Sequence, residues 1–600
     1  MKPIRNIAII AHVDHGKTTL VDQMLRQSGV FRANQEVRDL VMDSGDLERE
    51  RGITILAKNT AIRWGDTKIN IVDTPGHADF GGEVERVLQM VDGVLLLVDA
   101  FDGPMAQTRF VLRKAFERGL KPIVVINKVD RPHARPVQVL DEVLSLFCDF
   151  ELEDHQLEFR TIYASGRDGW AARGLSDERK DFRPLFEAIL RDIPAPGGDP
   201  DALPCLSVAA IDYDTYVGRI AIGRVREGRL RRGQVVGIVG RDGDVRRETI
   251  EKLMVFENLA KQEVEEVEAG EICAIVGLEQ VEIGETVTDL DEPHFLPVPP
   301  VEEPTISVIF TINTSPLAGQ EGRYVQSRKL KERLFRETES DVALRVEETD
   351  SADSLKVSGR GTLHLGILIE RLRREDYEFA VGKPQVIMHG DDEPMERVTV
   401  DVPEDASGTV VSLFVKRRGE MVNLENRGGH VRQEFVIPSR GLIGLRTRLL
   451  TATRGEAVMQ TIFEGYGPHR GPISGRAAGV QVSMATGDVV AFALFGLKDR
   501  GPHFVRPGDP VYDGMIVGEH CRTDDITVNP CREKKLTNMR ASGSDENIIL
   551  SPPRVFSVEE ALEYIEEDEL MEVTPKSIRL RKRVLSESER RKQARIAAKA

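Results

Sequence analysis

The sequence predicts a multidomain chain of α/β and β folds: a doubly wound α/β domain first, a small β-barrel next, two ferredoxin-like α+β domains in tandem, and a mixed C-terminal domain. Three observations carry that expectation. Up to about residue 200, short apolar runs alternate with amphipathic helical stretches. From 205 to about 290 the pattern changes to short alternating strands broken by glycine turns. Further on, a strand-helix-strand-strand-helix-strand order occurs twice in weak internal repeat. At 600 residues the chain has room for four or five separately cored domains of the usual ~100 to 200 residues.

The first domain, residues 1–200, is set by the apolar runs NIAIIA, KINIVD, GVLLLVDA, KPIVVINK and RTIYAS, interleaved with helical stretches such as AQTRFVLRKAFERG. That alternation calls for a mostly parallel sheet covered by helices on both faces. DIPAPGGDPDALP breaks the pattern as a linker, and residues 201–295, with turns such as REGRLRRGQ and GRDGD, make the barrel. The proline-rich DEPHFLPVPPVEEP is a second, stiffer linker. The first ferredoxin-like unit is expected over 303–385, with SRKLKERLFRET and GTLHLGILIERLRRE as its helices, and the second over 394–478. Only HGDDEPMERV separates them, so no domain is inserted there. Residues 480–600 combine Gly-rich strands, an acidic helix candidate (SVEEALEYIEEDEL) and a basic tail (RLRKRVLSESERRKQARIAAKA). A charge run of this kind is a solvated or frayed helix by default, and an RNA contact is the sharper alternative.

Composition narrows the function classes. A formal charge of -17 argues against a uniformly basic nucleic-acid coat, although net charge hides local patches. The five cysteines include no C-x-x-C pair, which disfavours a zinc knuckle or a disulfide framework and fits incidental thiols in a reducing cytoplasm. IAIIA is too short for a signal-peptide core, and no stretch approaches the ~20 apolar residues of a membrane span. A cytoplasmic protein without a membrane partner is expected.

Four short motifs and one accompanying loop carry the chemistry. AHVDHGKTTL, residues 11–20, follows a strand and opens a helix, an arrangement that aims backbone N–H groups at phosphate. Ala11 stands where the G-x-x-x-x-G-K-[ST] pattern has its first glycine. Within the loop Asp14, His15, Gly16 and Thr19 are candidate nucleotide contacts, Lys17 would reach the phosphates and Thr18 would place its hydroxyl on Mg²⁺. DTPGH, residues 73–77, supplies Asp73 for the metal and the Gly76 amide for a γ-phosphate. NKVD, 127–130, names the base: Asp130 can accept from the N1 and N2 groups of guanine, which adenine does not offer. Asn127 and the stem of Lys128 would flank the ring, with Val129 between them and Asp130. In YASG, 163–166, Ser165 and the Gly166 amide follow at the next strand end, the amide placed to donate to the guanine carbonyl. ERERGITI, 48–55, offers Thr54 as a second hydroxyl on Mg²⁺, made only when the γ-phosphate is present. This order and spacing read as a P-loop GTPase domain using GTP/GDP and Mg²⁺.

On these motifs the sequence resembles the translational GTPases, the class of elongation factors G and Tu. The resemblance spans nearly the whole chain, through AHVDHGKT, RGITI, DTPGHADF, NKVD and the barrel signature GRVREGRLRRGQ. Within the class it is similar to the BipA (TypA) family, on SRGLIGLRTRLLTATRGEA, AFALFGLKDRG, KKLTNMRASGSDE and EVTPKSIRLRKR. Two positions depart from the commoner pattern. Ala11 is tolerated in this class, and Gly166 stands in place of alanine.

The resemblance implies a GTPase activated by the ribosome, in which His77 orients the hydrolytic water once the large subunit engages it. It makes Val13 and Ile53 an apolar gate that keeps His77 out at rest, and Asp14 a candidate ligand for a monovalent cation. The implied partners are the 70S ribosome, large-subunit rRNA and A-site tRNA, met by a monomer. RNA contacts fall to Lys534, Lys535, Arg540 and the basic tail. Translation under stress and large-subunit assembly are both open as the setting. So are two alternatives, a LepA-like elongation factor and an RNA-binding assembly factor whose GTP hydrolysis times release. Elongation factor G itself fits poorly, because its tip domain has no room between the tandem units.

Overall fold

The computed structural model describes residues 3–12, 14–28, 47, 50, 58–74, 81–148, 150, 158–214, 216–240, 243–258, 260–296, 303–341, 343–427, 430–473, 475–533 and 549–597. By its contacts the chain divides into two compact units, 1–302 with 339–342 and 303–338 with 343–600.

In the first unit the N-terminal sheet contains β1 (Ile4–Ala11), β2 (Lys58–Trp64), β3 (Thr67–Asp73), β4 (Gly93–Asp99), β5 (Lys121–Asn127), β6 (Arg160–Ser165) and β7 (Trp170–Ala172). Their order is β2-β3-β1-β4-β5-β6-β7. The five central strands run parallel, as the apolar runs predict, and the sequence reading did not anticipate the antiparallel strands at the two ends. Strand alternation explains why β1 reads as a continuous apolar run. Ile7 and Ile9 pack with Leu20 and Met24 of the helix α1 (Lys17–Gln27) on one face, whereas Ala8 and Ile10 belong to the core that holds Leu112 and Phe147 on the other.

Residues 205–288 form an eight-stranded antiparallel sheet and a two-stranded ribbon around Leu206, Val225, Val236, Leu253 and Ile275. This barrel sheet is fastened to the amino-terminal side of the first one by buried polar groups. Asn6 Nδ2 donates to the Gly270 carbonyl at 2.9 Å, Arg224 pairs with Asp92 at 2.8 Å, and Lys68 pairs with Glu271 at 3.0 Å. Such matched burial avoids the penalty of an unpaired group. It also leaves the carboxyl ends of the parallel strands to the site described below.

In the second unit both tandem repeats have the strand order of the ferredoxin-like plan. In the first, strands Arg345–Glu348, Ser354–Gly359, Ile306–Ile312 and Phe379–Val381 lie side by side in that order, with helices Ser327–Ser340 and Thr362–Arg374. In the second the order is Glu420–Arg427, His430–Pro438, Asp392–Pro403, Val458–Pro468. Val398, Val400, Phe435 and Ile437 bury the helix-covered face of this second sheet.

Three features of the C-terminal region differ from what the sequence predicts. Its sheet is continuous with that of the first ferredoxin-like unit, because Phe379–Val381 pairs antiparallel with Glu569–Val573, which pairs with Ile578–Lys582. The acidic stretch is a helix only over Val558–Tyr564, closed at its start by a Ser557/Glu560 capping box; its end is the buried strand Glu569–Val573. The start of the basic tail is likewise no solvated helix. Arg579, Arg581 and Lys582 are buried, facing Glu321, Glu572 and Glu569. Two oppositely charged strands, each unlike a core strand alone, satisfy one another once paired. Only Glu587–Ala597 is the exposed basic helix expected, carrying Arg591, Lys592 and Arg595.

Candidate functional site

The site lies where the five parallel strands end, and the strand order places β1 between β3 and β4, the switch in direction at which open α/β sheets bind ligands. Ala11, Asp73, Asp99, Asn127 and Ser165 are the last residues of their strands. After Ala11 the chain turns through Asp14, at φ 65°, and Gly16, at φ 89°, into α1 with Lys17 as its first residue. Glycine is required at 16 on two counts. Its φ is left-handed, and a Cβ there would stand 2.7 Å from Asn127 Nδ2.

Lys17 is buried at the mouth of the turn. Its ammonium donates to the Thr74 carbonyl at 2.5 Å and lies 3.0 Å from Asp73 Oδ1. Thr74 is fixed in turn by its hydroxyl, which donates to the Ile9 carbonyl at 2.7 Å. Thr18 and Thr19 follow in the first turn of α1, half-buried. His15 is a buried support of the loop. Its Nδ1 donates to the Leu97 carbonyl at 3.2 Å, and burial, helped by neighbouring His12, pushes its pKa down to about 4, so the ring is neutral.

Asn127 joins the phosphate loop to the base loop. Its Nδ2 donates to the His15 carbonyl at 2.9 Å, and its Oδ1 accepts the Gly166 N–H at 2.9 Å. The Gly166 N–H, which the sequence places at a guanine carbonyl, is engaged by Asn127. A Cβ at Gly166 would meet nothing closer than 3.5 Å, so this departure from the commoner alanine makes no steric difference. Ser165 is fully buried and accepts the Asp168 N–H at 3.1 Å, while Val129 donates its N–H to the Ala164 carbonyl at 3.3 Å. Lys128 adopts φ 61° and gives its ammonium to the Asp14 carbonyl, and Asp130 is exposed beside it.

The arrangement brings a helix N-terminus, a lysine, a hydroxyl and a carboxylate to one place, with a second carboxylate at the neighbouring loop. The hard oxygen donors of Thr18 and Asp73 suit Mg²⁺. Lys17 and the α1 N-terminus suit a polyphosphate. Val13, Ile53, Thr54, Gly76 and His77 lie outside the described residues, as do Lys534, Lys535 and Arg540. One charged member of the site escaped the sequence reading: Asp99, an acid closing the otherwise apolar GVLLLVD strand, which is the only signal that could have marked it. Among the described residues no helix is long and apolar enough to cross a membrane.

Residues 2–195 match the family described as the elongation factor Tu GTP binding domain, and 218–288 match elongation factor Tu domain 2. Residues 392–476 match the elongation factor G C-terminus, and 478–587 the TypA/BipA C-terminal domain. The chain is 51% identical over 597 residues to a Bacillus subtilis (strain 168) protein named large ribosomal subunit assembly factor BipA, covering 98% of each. Proteins of the same name from Synechocystis and Escherichia coli K12 are 53% identical over 585 residues and 52% over 598. They are covered to 98% each, by 97% and 99% of this chain. A crystal structure of a Thermus thermophilus protein is similar in fold, with TM-score 0.54 at 17% identity, covering 78% of this chain and 98% of the other.

Proposed function

This chain belongs to the BipA (TypA) family of translational GTPases, and from that premise we propose that it hydrolyses GTP to GDP and phosphate on the ribosome, in large-subunit assembly and in translation under stress. The observation that supports this most is the convergence of Lys17, at the start of α1, with Asp73 and Asn127, at the carboxyl ends of β3 and β5, with Asn127 joining the phosphate loop to the base loop. The relatives' name, large ribosomal subunit assembly factor, favours the assembly role. The TypA/BipA C-terminal match favours this family over a LepA-like factor.

In this proposal Lys17 and the amides of residues 14–18 neutralise the β- and γ-phosphates, Thr18, Thr54 and Asp73 would hold Mg²⁺, and the Gly76 amide senses the γ-phosphate. The metal would supply charge neutralisation between the phosphates. Asp130 selects guanine, because its carboxylate would be left without donors by adenine. The mouth of the P-loop is where a monovalent cation beside Asp14 would sit. His77 orients the water only when large-subunit rRNA engages it, with Val13 and Ile53 holding it back otherwise. The C-terminal region contacts rRNA and A-site tRNA. The exposed basic helix Glu587–Ala597 supports that, and Lys534, Lys535 and Arg540 are further candidates. The protein acts as a cytoplasmic monomer.

The test is GTP turnover by purified protein, alone, with 70S ribosomes and with isolated large subunits, beside His77→Ala. External activators of GTPases supply ~10³- to 10⁵-fold in rate. Stimulation by the wild type and its loss in His77→Ala, with GTP affinity kept, is the expected result. Turnover indifferent to ribosomes but raised by precursor particles would move the function wholly to assembly. Equal rates everywhere would overturn ribosome activation.

A further inference from the structure

Asp99 has no exposed surface, yet its carboxylate is surrounded by donors. Oδ1 accepts the Phe101 N–H at 2.8 Å. Oδ2 lies 2.7 Å from the Lys128 ammonium and 3.5 Å from an Arg131 guanidinium nitrogen. The same ammonium donates to the carbonyl of Asp14, so one lysine spans the end of β4 and the phosphate loop. The surrounding backbone reinforces the position. Ala100 donates to the Asn127 carbonyl at 2.8 Å, and Arg135 donates to that of Ala100 at 2.8 Å.

The arrangement is costly unless complete. Burial by itself raises the Asp99 carboxyl, but the Lys128 ammonium and the Phe101 N–H outweigh it and hold the group below its usual range, so it is ionised at neutral pH. Lys128 and Asp14 both take left-handed φ values, of 61° and 65°, which non-glycine residues adopt only at a cost. Two strained residues joined through one lysine, with a buried anion behind it, make a preset geometry at a site where the lysine stem flanks the base.

We propose that Asp99 is a positioning residue for guanine-nucleotide binding: its buried carboxylate fixes Lys128 against the Asp14 carbonyl, so that the lysine stem stands as a preformed wall of the purine slot. This rests on the nucleotide-site reading above. Asp99 touches no nucleotide and acts through Lys128. Without the anion the lysine regains its rotamers, and each binding event must order it again, a cost of about 0.5 to 1.5 kcal/mol for a side chain of this type. The effect falls on how long the nucleotide stays.

The test is stopped-flow dissociation and association of a fluorescent N-methylanthraniloyl-GDP on the full chain, with Asp99→Asn and Asp99→Ala, each alone and combined with Lys128→Met. Asp99→Asn keeps the shape and the acceptor for Phe101, which guards against a folding defect. Dissociation faster by about 2- to 10-fold in Asp99→Asn, with association unchanged, is expected. In the Lys128→Met background Asp99→Asn should add nothing, because the group it acts through is gone. An unchanged dissociation rate in Asp99→Asn overturns the proposal. So does an equal acceleration with and without Lys128, which assigns Asp99 to the loop fold alone. Failure of the wild type to bind the probe would overturn the nucleotide-site reading itself, a result distinct from both.

Discussion

Glu563→Gln is the substitution whose effect should depend most on pH. Glu563 sits on the helix Val558–Tyr564, and its Oε2 accepts the Thr447 hydroxyl at 3.3 Å from the helix Leu445–Ala452 of the second ferredoxin-like unit. Burial pushes its carboxyl up to about 7; Thr447 and Arg446 oppose the rise, and Glu559 and Glu560 add to it. Arg417 is a further charge acting across this contact. Because the folded value lies above the ordinary 4.5, the docked contact is strongest below the ordinary value and weakens as pH rises through about 7. At ~1.4 kcal/mol per pH unit the whole shift would amount to about 3 kcal/mol, and partial exposure reduces this to about 1–2 kcal/mol. Glutamine keeps an acceptor for Thr447 and carries no charge. Hydrogen exchange over Leu445–Ala452 reads the contact directly. At pH 8 the variant should exchange about 5- to 30-fold more slowly than the wild type, and the ratio should fall towards one by pH 5. Comparison at each pH cancels the intrinsic exchange rate. A ratio that stays flat from pH 5 to 8, or a variant less protected at pH 8, would refute the reasoning.

Asn127→Ala removes the bonds to His15 and Gly166, each worth about 0.5–1.5 kcal/mol, and leaves Lys128 on the Asp14 carbonyl, so GDP affinity should fall roughly 5- to 150-fold in a fluorescence titration. Affinity within twofold of the wild type would mean that the loops are held by other contacts. Arg476→Ala leaves Glu569, which has no exposed surface, with Lys582 at 3.0 Å but without its two-pronged partner at 2.8 and 2.9 Å. That should lower resistance of strand Glu569–Val573 to urea by about 3 kcal/mol, as followed by hydrogen exchange, whereas Arg476→Met with Glu569→Leu should come within ~1 kcal/mol of the wild type.

The nucleotide site was legible because its parts are local. Each motif is a few residues at the end of one apolar strand, and a parallel sheet gathers such ends on one edge. The tandem repeats were legible for the same reason, since helix and strand periodicities alternate within a short span. What escaped depends on distant partners. Glu569, Glu572, Arg579, Arg581 and Lys582 look solvated when each charge is judged alone, and only their pairing across two strands makes burial tolerable. Asp99 was missed similarly, because an acid at a strand end says nothing of Lys128 until the fold sets them 2.7 Å apart. Gly166 looked open to the base until Asn127 was seen to hold its N–H.

The pairing of Phe379–Val381 with Glu569–Val573 also governs the order in which the chain can mature. As the polypeptide leaves the ribosome that makes it, the first ferredoxin-like unit emerges with one sheet edge open, and the whole second unit follows before the matching strand exists. Until then that edge is a template for mispairing, and its closure is among the last and slowest steps. A premature stop near the C-terminus therefore damages the middle of the molecule. Its consequence is a misfolding lesion in residues 303–386, and not simply a lost surface at the end.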